Sequence, residues 1–218
     1  MLLSNPTKHG TGLQIWGNCD DLRSLYETFS KLSLYGSEKD SPYLIERDRL
    51  LSIMSYEIRH AFQGDREVEK RSDVLYYGFS TDWITYIFSL SCLRDNSSLI
   101  TLDELDIVNL LLLQYHGKSS AKEYDLKGAR YLDRLIEIGI KTDEYSYLIQ
   151  QEILDDYFSQ KANKARFREI PEYIYKLTSI YTQERKDFEA NIQAEIKEYK
   201  CEISALEATR QDDFNIIW

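Results

Sequence analysis

The sequence predicts an α+β protein that is predominantly α-helical, with about seven helices and one small antiparallel sheet. Three observations predict it. Apolar residues recur at three- and four-residue spacing over most of the chain. Only 9 glycines and 3 prolines punctuate 218 residues, too few for a turn-rich β architecture. Strand-like patterning is confined to the first 17 residues and to 74–79.

Residues 1–17 read as a hairpin. Leu2 and Leu3 lead into the turn cluster Pro6 to Gly10, and Gly12 to Trp16 alternates on the return. Asn18 is placed to cap a helix over 19–34, whose stripe is Leu22, Leu25, Tyr26, Phe29 and Leu32. Ser41 and Pro42 open a second helix carrying Leu50, Leu51, Met54 and Ile58, closed by Gly64. The charged stretch 65–73 reads as a loop. Residues 74–79 read as a third strand, pairing with the hairpin because a hairpin alone is marginal in water. Thr81 or Asp82 starts a helix so apolar that it belongs at the centre of the molecule.

Thr101 to Glu104 forms a capping box for a helix expected to stop at Gly117. Asp125 and Gly139 bracket the next, and Thr142 begins a sixth. Pro171 marks the entry to a terminal helix. The chain thus divides into a helical domain over 1–170 and an extension over 171–218.

That extension carries the main functional expectation. From about Glu172 to Arg210 no Gly or Pro interrupts the chain, so one continuous helix would be roughly 60 Å long. A globule of this chain length is perhaps ~45 Å across. Ile192, Ile196, Tyr199, Ile203 and Leu206 follow at four, three, four and three residues, the seam of a coiled coil. Phe214 and Trp218 lie in an apolar tail that needs to dock somewhere. Two outcomes stay open. Either the rod meets another protein through this seam and tail, first of all a second copy, or it bends near Glu184 to Asp187 and folds back.

Composition narrows the function class. The net charge of −10 disfavours nucleic acid as a partner. The one basic cluster, Lys161, Lys164, Arg166 and Arg168, is a candidate anion site, with a solvated connector as the plainer reading. Three cysteines, odd in number and without CxxC spacing, suit a reduced compartment. The first six residues lack signal-peptide patterning, and the richest apolar run, Ile107 to Tyr115, is too short to span a bilayer. A cytoplasmic, soluble protein without a membrane partner is expected.

Motifs for chemistry fail on inspection. Glu57 and His60 share a helix face but lack a second such pair for a metal centre. Gly117-Lys118-Ser119 lacks the upstream Gly of a phosphate-binding loop. Gly10-Thr11-Gly12 lacks the third Gly of a dinucleotide fingerprint. No catalytic residue, metal site or cofactor is therefore assigned. The sequence points to a non-enzymatic interaction or scaffold protein, self-associating through its terminal helix. The alternative is a small-molecule binder or enzyme whose pocket draws on scattered acids, such as Asp82, Asp103 and Asp106, and on the 17 tyrosines.

Overall fold

The computed structural model describes residues 1–33, 42–206 and 216–218, with the side chains of residues 42 and 43 left aside. Strands β1 (Leu3–Pro6) and β2 (Gly12–Gly17) form the expected hairpin, followed by α1 (Cys19–Leu32) and α2 (Pro42–Gln63). Strands β3 (Glu67–Arg71) and β4 (Val74–Asp82) precede α3 (Trp83–Ser97), α4 (Glu104–Tyr124) and α5 (Leu126–Ile138). Helices α6 (Ser146–Ser159), α7 (Lys164–Thr178) and α8 (Gln183–Tyr199) and a 3-10 turn (Ile203–Ala205) complete the described chain. The class is as expected: α+β and mainly helical, with eight α-helices and four strands among the described residues.

The sheet is antiparallel in the order β1-β2-β4-β3. Its central pairing sets Gly12 opposite Asp82 and Gly17 opposite Tyr77. Gly12 is required there, since a Cβ would lie 1.8 Å from the Thr81 carbonyl oxygen on the neighbouring strand. The stretch 65–73, expected as a loop, contains β3. Ser72 (φ 45°) and Asp73 (φ 68°) both take the left-handed conformation that matches a two-residue hairpin to the sheet twist. β3 is an edge strand, exposed at every residue but half-buried Arg71.

Helix α3 is buried on all sides from Trp83 to Leu93 and packs against α1, α2, α4, α5, α6 and α7. Asn18 caps α1 in a full capping box. The box for α4 is formed by Asp103 with Asp106 and not by Thr101 with Glu104 as expected, so the helix opens two residues later. Gly117 does not stop α4, which runs on to Tyr124. A Cβ at Gly117 would come within 2.6 Å of the Tyr86 ring, so this glycine admits an aromatic side chain against the helix backbone. Helix α6 begins at Ser146 rather than Thr142, because Thr142 is engaged by Arg47 Nε (2.8 Å) and donates to Asp95 (2.6 Å). The capping role expected of Ser41 lies outside the described residues.

The continuous terminal rod is not formed. Helix α7 starts at Lys164, capped by Asn163, so Pro171 sits inside it and the boundary expected at 170 falls within a helix. The chain then breaks at 179–182. The Ser179 N–H closes α7 on the Tyr175 carbonyl, and Thr182 Oγ1 donates to the carbonyls of Lys176 (2.6 Å) and Ser179 (2.7 Å). Buried Arg185 spans the break, donating to the Leu177 carbonyl (3.1 Å), to Asp143 (2.8 Å) and to Glu189. The two pieces lie on their own domain, with α8 against α7.

Candidate functional site

Four places bring together residues with functional potential: the terminal seam, the basic cluster, a groove beside α7 and α8, and the outer face of α4.

The seam is occupied from within. Ile192, Ile203 and Leu206 are buried in a small cluster with Leu148, and Ile196 packs on it with Tyr145 and Phe188. Tyr199 is exposed, and Trp218 is partly so. Phe214 lies outside the described residues. The tail does return to the body, where buried Thr11 donates its hydroxyl hydrogen to the Ile217 carbonyl. That hydroxyl is preset, because Arg166 Nη2 donates into it at 2.7 Å and Arg has no acceptor to offer.

The basic quartet is not a free cationic surface. Arg166 is buried, stacked 4.2 Å over the Tyr157 ring and bonded to the carbonyls of Tyr157 and Gln160. Arg168 makes a bidentate pair with Asp125 (2.7 and 2.9 Å), and Lys164 lies 4.0 Å from the same carboxylate. Only Lys161 is left without such a partner among the described residues. Asp125 also accepts from the Gly128 N–H at 2.9 Å, capping α5. Arg168 and this cap hold its carboxyl down at about 2.

The sign of the pH effect follows. A carboxyl whose folded value lies below the unfolded value of about 3.9 contributes stability above that pH and loses it as the pH falls toward 2. Asp125→Asn is expected to cost about 1–2 kcal/mol at neutral pH. Its stability should also fall less steeply than the wild type's between about pH 4 and 2. Urea titrations of the two proteins across that window measure the difference, cancelling the opposing contributions of Asp82 and Glu46, whose carboxyls burial pushes up.

The acids considered as alternative site residues serve as helix starts. Asp82 caps α3 through the Thr85 N–H (2.7 Å), and Asp103 and Asp106 cap α4 while Lys31 pairs with both. Glu57 is taken by Arg66 (2.7 and 2.9 Å), and His60 lies 2.9 Å from Asp65. The fold also creates a pair that sequence spacing cannot reveal: Ser4 on β1 lies 3.0 Å from His116 Nδ1 on α4. Burial pushes the imidazole below its ordinary pKa, and the Ser4 hydroxyl accepts from Ser120 at 2.9 Å and donates to the His116 carbonyl at 3.4 Å. His116 Nε2 is buried without a partner among the described residues, and the trio ties the sheet edge to α4.

Between α6, α7 and α8 a groove of about 340 Å³ is lined by Glu152, Asp156, Tyr173, Lys176, Glu184 and Asp187, with Phe188 and Asn191 alongside. Burial and the neighbouring Asp156 and Asp155 push the Glu152 carboxyl up.

Helix α4 turns Leu113, His116, Ser120 and Ala121 inward, yet its opposite side is also apolar. Leu105, Ile107, Val108, Leu111 and Tyr115 are 47–64% exposed. Single exposed hydrophobes need no explanation, but five on about three turns of one helix form a patch of roughly a few hundred Å², the size that marks contact sites. No described helix is long and apolar enough to cross a membrane. The run was visible in the sequence; that half of it faces outward depends on how α4 is rotated against β1 and α5.

Residues 2–218 match the model of a family described as a domain of unknown function. No curated protein and no solved structure matches the chain.

Proposed function

The chain belongs to this family, DUF6904, and we propose that this member is a non-enzymatic protein that works by protein–protein association, first of all with a second copy of itself. The observation that carries the reading is the outward apolar face of α4. It takes the place of the terminal seam, whose apolar side chains are already spent on Leu148 and its neighbours. The cost of leaving five large apolar side chains in water is recovered when a partner covers them, at about 25 cal/mol for each Å² removed.

Sedimentation velocity at micromolar concentration tests this. The wild type should sediment as a dimer. Leu111→Asp should weaken the dimer about 100-fold, since each Leu111 contributes about 1.5 kcal/mol and both copies carry the change. Leu111 is 59% exposed in the single chain, so its circular dichroism should not change. A monomeric wild type ends the reading.

A second reading, a small-molecule binder, draws on the groove beside α7 and α8. Its four carboxylates would favour a cationic ligand, and a rise in Tm with a polyamine, lost in Asp187→Asn, would support it.

A further inference from the structure

Resting on the reading of α4 as the contact face, we propose that two copies pair isologously, with their α4 helices antiparallel and crossing at Leu111. The pattern along the helix supplies the argument. Val108, Leu111 and Tyr115 follow at three- and four-residue steps and so share one face, with Leu105 and Ile107 on its flanks. At the N-terminal end of that face stands Glu104, and toward the C-terminal end stand Lys118 and Lys122. The face is apolar in its middle and opposite in charge at its ends. Such a surface is complementary to its own reverse.

A two-fold axis at Leu111 sets each residue opposite one as far beyond the axis as it lies before it. Leu111 then meets Leu111, Ile107 meets Tyr115 of the second copy, and Glu104 meets Lys118 of the second copy. A parallel pairing would instead place Glu104 against Glu104 and Lys118 against Lys118. Antiparallel helix dipoles favour the same choice. Lys118 already lies 3.2 Å from Glu137, and Lys122 lies 3.2 Å from Asp133, in its own chain. These are partly exposed pairs that hold the lysines only weakly and leave them able to share a second carboxylate. The apolar middle supplies the affinity, and the charged ends set the direction.

Cysteine cross-linking reads the geometry. With Cys19 and Cys201 changed to Ser and Cys92 left buried, Leu111→Cys should form a disulfide-linked dimer on mild oxidation. Leu105→Cys should not, because an axis at Leu111 holds its two copies about 18 Å apart along the helices, beyond the reach of a disulfide. In the native-cysteine background, Glu104→Lys and Lys118→Glu should each weaken the dimer about tenfold, and the double reversal should restore it to within about threefold.

Cross-linking at both positions would mean a parallel pair and overturn the proposal. A wild-type dimer with no cross-link at Leu111→Cys and no rescue by the double reversal would also overturn it, while self-association through another face would stand. A wild-type monomer ends both, and an α4 face that captures only a foreign helix would show itself in that way.

Discussion

Truncating Trp83 to Ala is expected to lower the free energy of unfolding by about 3–5 kcal/mol. Trp83 is fully buried at the start of α3, the helix on which most of the body packs. Its ring meets Phe167 edge-on at 5.6 Å and Tyr86 at 6.3 Å, so removal opens a cavity lined by rigid aromatic neighbours that cannot collapse into it. Trp83→Phe provides the contrast. The indole Nε1 is buried without an acceptor among the described residues, so phenylalanine removes an unpaired donor along with some volume. Its cost should be no more than about 1–2 kcal/mol. Urea denaturation of both variants measures the difference; equal losses would mean that the donor has an acceptor after all.

The second large effect is expected at Arg185, which is 2% exposed and joins α8 to α7 and to the segment before α6. Arg185→Ala removes the guanidinium donor from the Leu177 carbonyl, from Asp143 Oδ2 and from Glu189, while Asp143 Oδ1 keeps the Tyr145 N–H. A fully enclosed ion pair broken in this way costs 3–5 kcal/mol. Asp143 and Glu189 reach water with side chains 21% and 36% exposed, which lowers the expectation to about 2–3 kcal/mol. The loss should be local first. Limited proteolysis should cut between Ser179 and Thr182 well before the rest of the chain unfolds. If cleavage there is as slow as in the wild type, Arg185 is not what holds α8 in place.

That break explains what could and could not be read from the residues. Helix ends marked by a strong local signal were legible: Asn18 and Asp125 as caps and Gly139 as a stop. The start of α4 was read two residues early, because Thr101 with Glu104 and Asp103 with Asp106 offer the same spacing and the structure uses the second pair. So was α3, whose side chains are apolar on every side. The turn at 179–182 was not, because it uses neither Gly nor Pro. Ser179 and Thr182 close the ends with backbone and hydroxyl hydrogen bonds, and a charged residue six positions after Ser179 is drawn inside to span the gap. Gly117 erred in the other direction, since its reason is the ring of Tyr86 and not a helix end. β3, with four of its five residues charged, has no buried face to give it a period, and its pairing comes from β4 and the turn at Ser72 and Asp73. The apolar run on α4 was visible as composition; its outward half could be recognised only once β1, α1 and α5 had claimed the other sides.

The charged edge strand has a bearing on how large any assembly can grow. One margin of the sheet offers Glu67, Glu69, Lys70 and Arg71 to an incoming strand, and the other is tied down by the Ser4 and His116 contact. Strand-by-strand addition, the usual route to open-ended fibres, is therefore blocked at both sides. The two-fold pairing of α4 proposed above would close on itself and stop at two.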